Sequence, residues 1–250
     1  MENNKKKSLI PKAALIKAWL IWETFPQTCY NYERMMGQVV AHMFSAIIGF
    51  LYKDDPSKRK EVMKREIEFF NVHIEFGSCI LGMAVALEEQ KAMGENIPGE
   101  FITNLKTSLM GPLAGMGDTI WQGVVIPILL AVCIDLTRSG SGNVWGAVIY
   151  AVVIVVAAYA LSYWNFMFGY KAGSEAIMDF LEKGILNKLI KGASIMGCMV
   201  MGGLIVNYVK AACGLKIVSS TTTYSIQTNF LDQVCPSILP LAVTLLVYYL

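Results

Sequence analysis

The sequence is poor in charge, in histidine and in the motifs of soluble enzymes. Charged residues make up 16% of its 250 residues, whereas soluble domains carry roughly 25%. The net charge is +2 and there are two histidines, so nucleic-acid binding and general-base catalysis have little support. No G-x-S-x-G, G-x-x-x-x-G-K-[ST] or H-E-x-x-H motif occurs. We therefore expect no catalytic site and no ATP-driven engine in this chain.

The cysteines lack the spacing of metal sites or of a disulfide framework. No C-x-x-C pair and no Cys/His cluster occurs, and most of the cysteines lie in apolar stretches. Cysteine in such a stretch behaves as a small hydrophobic residue. We expect no disulfide, no metal and no cofactor. The six cysteines are Cys29, Cys79, Cys133, Cys198, Cys213 and Cys235.

Long charge-free runs predict an all-α integral membrane protein. Residues 139–170 contain no charged residue, and 144–169 exceed the roughly 20 apolar residues that cross a bilayer. Residues 192–209 are also charge-free and long enough to span. Residues 233–250 are charge-free, but Pro236 and Pro240 leave only a short apolar end. The expected fold therefore combines transmembrane helices with shorter elements.

The segment 107–134 is apolar but irregular, and its single charge is Asp118. A proline and several glycines should break a helix there, which in lipid is tolerated only where the break is buried or lines a wet cavity. We predict a re-entrant hairpin, as for the short apolar run 76–87, with a buried core helix as the alternative. The residues that would shape the re-entrant turn are Gly111, Pro112, Gly115 and Gly117.

The distribution of basic residues predicts the orientation. Residues 53–65 carry six Lys and Arg, and 171–191 carry four lysines, so both should face the cytoplasm. Asp55 should cap a helix that starts at Pro56. Residues 174–192 are typical of an amphipathic interfacial helix. Residues 210–232, rich in Ser and Thr, should form an external loop with a hairpin of short strands.

We expect a single membrane domain over residues 1–250. Residues 1–34 would form a cytoplasmic or interfacial amphipathic arm, and residues 35–250 the membrane-embedded body. Residues 35–52 are long enough to span, but a span there would put the Lys-rich N-terminus outside. We therefore expect a non-spanning or paired arrangement for 35–52.

Polar residues cluster beside the short apolar runs, and their chemistry suits a sugar. Amide and carboxylate groups can donate to and accept from hydroxyls, and an indole packs on the apolar face of a sugar ring. The alternatives are a local Glu33–Arg34 ion pair, a buried histidine, a solvated helix end at 88–89 and an N-cap role for Asp118. The candidate ligand-binding residues are Asn31, Glu33, Asn71, His73, Glu88, Asp118 and Gln122.

Ordered motifs resemble a known family over nearly the whole chain. The most specific is LMGPLAGMGDTIWQGVVIPIL at 109–129, and others are NYERM at 31–35, EFFNVHIEFGSCILGMAVALEEQ at 68–90 and FGYKAG at 168–173. They resemble the IID membrane component of mannose-family sugar phosphotransferase systems. The resemblance implies a bacterial cytoplasmic membrane protein with re-entrant hairpins and no phosphohistidine.

The same resemblance implies partners. A IIC membrane subunit would assemble with this chain as a multimer, and cytoplasmic IIA and IIB proteins would phosphorylate the arriving hexose-type sugar. The sequence departs from the family at Ile120-Trp121-Gln122-Gly123 and at Val72-His73-Ile74-Glu75, next to candidate sugar contacts. Two alternatives stay open at this point: a stand-alone ion-coupled secondary transporter, and a mainly structural scaffold for IIC.

Overall fold

The computed structural model describes residues 8–138 and 144–175, and beyond them short stretches of which 211–214, 216–218, 223–225 and 238–249 are the longest. The chain divides into two compact units, residues 1–197 and 198–250. Each unit is described by itself. The predicted interfacial helix at 174–192 and most of the predicted span at 192–209 fall outside the described residues.

The described regular elements of the first unit are helices joined by loops. Its elements in chain order are α1 (Lys12–Thr24), α2 (Gly37–Ser45), α3 (Ile48–Leu51), α4 (Pro56–Glu66), α5 (Ile74–Ala92), α6 (Gly99–Gly117), a π-helical segment (Asp118–Val125), α7 (Ile126–Arg138) and α8 (Trp145–Glu175).

Two predictions for the region before α5 are confirmed. The Asp55 carboxylate caps α4 by accepting the backbone N–H of Lys58 at 3.0 Å, and Pro56 occupies the first turn. Residues 35–52 form the short helices α2 and α3, and the nine residues of α2 extend only about 14 Å. Neither helix can cross a bilayer of about 30 Å.

The expected re-entrant turn at Gly111, Pro112, Gly115 and Gly117 is replaced by a continuous helix. Helix α6 runs through Pro112, and the π-helical segment joins it to α7 without a reversal. The break thus becomes a local change of helical pitch, in which the Thr119 hydroxyl donates to the Gly115 carbonyl at 2.8 Å. Asp118 lies inside this run and Gly117 precedes the π-helical segment as its N-cap, so the alternative of an N-cap role for Asp118 is wrong.

Helices α5 and α8 form the centre of the first unit, packed backbone to backbone. A Cβ atom at Gly82 would lie 2.1 Å from the Phe166 carbonyl oxygen, and one at Gly169 would lie 2.0 Å from the Cys79 carbonyl oxygen. Only glycine permits such an approach. Residues 76–87 are therefore part of a buried core helix, which was the alternative to a re-entrant segment.

Polar side chains fasten α1 to this pair of helices. The Trp19 indole donates to the Ser162 hydroxyl at 2.9 Å, and the Trp22 indole lies within donating distance of the Ser78 hydroxyl at 3.0 Å. The segment before α1 is held by Glu89, whose carboxylate accepts the backbone N–H groups of Leu9 at 2.7 Å and Ile10 at 3.0 Å. Glu89 also accepts the Tyr170 hydroxyl.

Two helical runs among the described residues are long and apolar enough to cross a membrane. They are Gly99–Thr137, with 39 residues, and Trp145–Gly173, with 29 residues. Their apolar side chains are exposed along α7 and the first half of α8, as at Ile128 and Val156, which are 61% and 60% exposed. In water such a surface would be unfavourable, so lipid or a partner must cover it.

The second unit contains a small hairpin and one described helix. Strands β1 (Lys216–Val218) and β2 (Thr223–Ser225) pair antiparallel, with Ile217 opposite Tyr224. This confirms the predicted hairpin of short strands within 210–232. Helix α9 (Ile238–Tyr249) is apolar and exposed.

We predict that Gly169→Ala destabilises the protein by about 1–3 kcal/mol, because the new methyl group meets the backbone of Cys79, which cannot move without separating α5 from α8. The matched control is Gly111→Ala, where a Cβ meets no atom within 4 Å. Alanine there should be neutral or stabilising, by up to about 1 kcal/mol, through its helix propensity. Thermal unfolding of the purified protein in detergent measures both, and equal effects would contradict the packing argument.

Candidate functional site

A cavity of about 610 Å³ lies between the loop after α1, the start of α5 and the π-helical segment. The loop after α1 contributes Gln27, and the segment before α5 contributes Asn71 and Val72. Helix α6 contributes Ala114, and the π-helical segment supplies polar and aromatic side chains on its inner side. The full lining is Gln27, Met36, Asn71, Val72, His73, Ile74, Glu75, Ala114, Asp118, Trp121, Gln122 and Ile126.

Backbone hydrogen bonds bring two distant loops to this cavity. The N–H of Met36 donates to the Phe70 carbonyl at 2.8 Å, and the N–H of Phe70 donates to the Arg34 carbonyl at 3.2 Å. These bonds fix the chain before α2 against the chain before α5. Met36 and Asn71 therefore line the same wall.

His73 is a buried side chain of the cavity wall. Its Nδ1 lies 2.9 Å from Glu75 Oε2, its ring meets Phe76 edge to face at 5.7 Å, and it is 8% exposed. A Cβ at Gly117 would lie 2.4 Å from the His73 Cγ, so glycine lets α6 close on the ring. The Glu75 carboxylate is near Nδ1 but makes no aligned hydrogen bond with it, and no other described residue does.

Asn71 and Glu75 are themselves positioned by neighbouring residues. The Tyr30 hydroxyl donates to the Asn71 Oδ1 at 3.1 Å, which leaves the amide N–H groups of Asn71 as donors. The Asn165 amide donates to the backbone carbonyl of Glu75 at 3.1 Å and so ties the start of α5 to α8.

The π-helical segment presents Asp118, Trp121 and Gln122 to the cavity together. Trp121 is only 8% exposed, so its ring forms part of the wall rather than a surface flap. Acidic, amide and imidazole groups around an indole match the alternating polar edge and apolar face of a sugar ring. Among the described residues, no group of three or more His, Cys, Asp or Glu side chains could hold a metal ion.

Four of the seven predicted ligand-binding residues come together in this cavity: Asn71, His73, Asp118 and Gln122. Sequence reasoning left out Glu75, whose signal was a carboxylate in the first turn of an apolar helix, and Gln27, for which the sequence offered no signal. Trp121 lies inside the most specific motif but was not among the predicted ligand-binding residues. Its burial, which only the fold reveals, makes it part of the wall.

Asn31 and Glu33 lie in a neighbouring surface cavity of about 560 Å³. The Asn31 Oδ1 accepts the backbone N–H groups of Glu33 at 3.1 Å and Arg34 at 2.9 Å, so Asn31 shapes its own loop. The exposed Glu33 carboxylate pairs with Arg34 at 3.2 Å, as the alternative of a local ion pair predicted. The hydrogen bond between Tyr30 and Asn71 joins the two cavities.

Glu88 lies at the other end of α5, about 22 Å along the helix from His73. It is fully buried, and its Oε1 accepts the Arg65 Nε at 2.8 Å and Nη2 at 2.6 Å. Glu89 is also buried, at 3% exposure, so the end of α5 is not the solvated helix end that the sequence allowed.

Glu23 lies at the end of α1, near the cavity residues Glu75 and His73. Burial, the main cause, raises the pKa of its carboxyl to about 7; the Ser162 hydroxyl opposes the shift, Glu75 adds to it and His73 opposes it. Its Oε2 is buried with no hydrogen-bond partner among the described residues. A protonated carboxyl therefore suits this position better than a carboxylate.

Comparison with known proteins identifies the family. A model of the PTS system mannose/fructose/sorbose family IID component, where PTS denotes the phosphotransferase system, matches residues 9–250. The chain belongs to this family. As a PTS IID component it is a membrane protein, which confirms the fold class expected from the sequence. A stand-alone secondary transporter is not favoured.

Individual relatives agree with this assignment. The IID chain is 35% identical to the mannose-specific EIID component of Escherichia coli strain K12, over 87% of this chain and 78% of that protein. It is 32% identical to the fructose permease IID component of Bacillus subtilis strain 168, over 98% and 89%. A chain in the cryo-EM structure of the mannose transporter ManYZ with microcin E492 has a TM-score of 0.75 at 29% identity, covering 97% of this chain and 89% of that chain.

The Glu23 carboxyl predicts a pH dependence of stability. Its folded pKa of about 7 exceeds the value of 4.5 for a free glutamate, so the folded state holds more protons between these values. Stability should therefore fall as the pH rises through this window. We expect Glu23→Gln, which cannot ionise, to flatten that part of the profile of unfolding temperature against pH. An unchanged profile would exclude Glu23 as its source.

Arg65 pairs with both Glu88 and Glu61, and we predict that Arg65→Gln and Glu61→Gln lower the free energy of unfolding by unequal amounts. Arg65→Gln should cost about 3–5 kcal/mol, because it leaves a buried carboxylate without its charged partner. Glu61→Gln, which removes the exposed partner of the same guanidinium at 3.2 Å, should cost at most about 1 kcal/mol. Denaturant or thermal unfolding distinguishes the two, and a larger cost for Glu61→Gln would reverse our assignment.

Proposed function

We propose that this IID chain is the sugar-translocating subunit that works with IIC in a bacterial cytoplasmic membrane, and that the 610 Å³ cavity is its share of the sugar site. The observation that carries the proposal is the convergence of Asn71, His73, Asp118, Trp121 and Gln122, from separate segments of the chain, on one cavity.

Each cavity residue has a role in this proposal. Asp118 accepts hydrogen bonds from sugar hydroxyls, Asn71 donates to them, and Gln122 can do both. Trp121 packs against the apolar face of the ring. Glu75 holds His73 in place from behind. The observed partners of Asn31, Glu33 and Glu88 are groups of the protein itself. Sugar contact by these three residues therefore stays a prediction.

The basic end of the first unit supports a cytoplasmic orientation. The residues around α4 and the end of α5, including Lys53, Lys60, Lys64 and Lys91, lie far along α5 from the cavity. Positive residues flanking membrane spans stay in the cytoplasm, so this end would face the cytoplasmic IIA and IIB proteins. Those proteins would phosphorylate the sugar as it arrives, in an assembly of several IIC and IID chains.

The names of the relatives suggest hexose-type sugars as probes. The mannose-, fructose- and sorbose-specific relatives are matched over at least 78% of their length. A sugar present at 100 times its Kd adds about 2.7 kcal/mol to the stability of the state it binds. Thermal unfolding of the IIC–IID complex with each of these three sugars tests the proposal. If none of the three sugars protects the complex against thermal unfolding, the proposal is wrong.

We predict that Gln122→Ala weakens sugar binding about two- to tenfold, because a cavity hydrogen bond contributes roughly 0.5–1.5 kcal/mol. Gln122 is exposed in the cavity, so the fold should be unaffected. The matched control is Gln38→Ala, the same change in the neighbouring surface cavity, which should leave affinity unchanged. Sugar-dependent thermal protection measures both. Equal affinity in the two variants, with assembly intact, would favour a scaffold role in which IIC holds the sugar.

A further inference from the structure

The cavity proposed to hold the sugar is lined by carboxylates without a lysine or arginine. Among the described residues that line it, Glu75 and Asp118 are acidic and none is Lys or Arg. His73 is the one lining side chain that can carry a positive charge, and its Nδ1 lies 2.9 Å from Glu75 Oε2. Because Glu75 balances the charge of a protonated His73, the negative charge of Asp118 is not offset by these lining residues.

Asp118 also lacks a counter-ion on its own helical run. It is the only charged residue in the segment 107–134. Among the described residues, no side chain forms an ion pair or a hydrogen bond with its carboxylate. On the neighbouring loop, the Arg34 guanidinium is paired with Glu33 at 3.2 Å. A ligand in the cavity therefore meets a carboxylate whose charge no described side chain balances.

The N-terminus of α5 is the part of the wall that would favour an anion, because its first backbone N–H groups lack carbonyl partners within the helix. Phosphate groups commonly bind at such an end. In this chain His73 is the N-cap and Glu75 lies in the first turn. The Glu75 carboxylate therefore complements the helix dipole from within the protein, and its charge opposes the approach of a second anion.

Apolar side chains around the carboxylates strengthen this effect. The walls include Met36, Val72, Ile126 and the ring of Trp121. In a cleft with low-dielectric walls and charges of one sign, the electric field is focused on the ligand instead of being dispersed in water. Two charges about 4 Å apart interact about four times more strongly at an effective dielectric constant of about 20 than in bulk water.

We infer that Asp118 makes the cavity select sugars by charge: it admits hexoses that carry no negative charge and rejects anionic ones, including the phosphorylated product. The inference rests on the proposed function, which places the hexose in this cavity and its phosphorylation on the cytoplasmic side. A neutral hexose offers hydroxyl donors, which the Asp118 carboxylate accepts. An ionised carboxylate on the ligand offers no donor and brings a like charge.

Charge selection has a consequence for the direction of transport. Phosphorylation adds about 1.5 to 2 negative charges to the sugar at neutral pH. The carboxylate that accepts hydrogen bonds from the incoming sugar then repels the product. This repulsion favours release of the product from the cavity and opposes its return, so Asp118 contributes to uptake in one direction.

The size of the cavity does not supply this discrimination. Its volume of about 610 Å³ lies within the range of roughly 300–1,000 Å³ found for pockets that hold drug-sized ligands. A hexose is smaller than such ligands, so the remaining space can take a carboxylate or a phosphate group. Rejection of anionic sugars must therefore come from charge.

The test compares one hexose with two anionic derivatives on the purified IIC–IID complex in detergent. The hexose is whichever of mannose, fructose and sorbose protects the complex best. The derivatives are its 6-phosphate and its uronate, in which a carboxylate replaces the terminal CH₂OH group. Sugar-dependent thermal protection at neutral pH gives each Kd. We expect wild type to bind the uronate at least about tenfold more weakly than the hexose, and the 6-phosphate more weakly still.

Three variants assign the rejection to one residue. Asp118→Asn removes the charge and keeps the shape, so the ratio of uronate Kd to hexose Kd should fall at least about threefold. Asp118→Glu keeps the charge and should keep the ratio. The matched control is Asp135→Asn, the same change at an exposed position of α7 outside the cavity lining, which should show the wild-type ratio. Because the ratio compares two affinities within one variant, a general loss of stability does not imitate the result.

The outcomes separate the inference from the proposed function. A ratio that falls in Asp118→Asn and stays in Asp118→Glu and Asp135→Asn supports charge selection. Equal binding of hexose and uronate by wild type overturns it, while protection by the hexose leaves the proposed function intact. An unchanged ratio in Asp118→Asn, or an equal fall in Asp135→Asn, also overturns the role of Asp118. Absence of protection by every hexose would contradict the proposed function itself, and the inference with it.

Discussion

The backbone contact between α5 and α8 is the constraint on which the rest of the first unit depends. Gly82 and Gly169 allow each helix to meet the carbonyl groups of the other, which locks their relative rotation and height. This contact fixes the positions of the polar side chains around the two helices. Asn165 of α8 reaches the backbone of Glu75, and Ser162 meets the hydroxyl of Ser78 at 2.7 Å. His73, at the start of α5, is thereby held at the cavity wall.

The fold features that could be predicted depend on local sequence. Residues 145–170 of the predicted charge-free run lie in α8, because apolar length is a property of composition that does not depend on the tertiary arrangement. The cap at Asp55 followed from a carboxylate placed before Pro56, which is a contact within one turn. The short hairpin at 216–225 followed similarly from a polar stretch between apolar runs.

Features that depend on tertiary neighbours could not be predicted from local sequence. Pro112 lacks an N–H and should interrupt a helix, yet α6 continues through it and the irregularity appears later, at 118–125. Glu88 was a plausible ligand because a carboxylate at the edge of an apolar run is costly. The cost is offset by Arg65, 23 residues earlier in the chain, and nothing in the local pattern indicates that pairing. For the cavity, residue types were sufficient for Asn71, His73, Asp118 and Gln122, whereas Glu75 needed the geometry.

The attachment of the chain start has a consequence for the order of assembly. Glu89 accepts the backbone N–H groups of Leu9 and Ile10 and the hydroxyl of Tyr170, so partners up to 80 residues before it and 81 residues after it converge on one carboxylate. During synthesis the first residues emerge long before either partner exists. Their final attachment must wait until α5 and α8 have been made and have come together. The segment at Leu9 and Ile10 is thus among the last parts to reach its final position, and its attachment marks the completion of the helical core rather than its start.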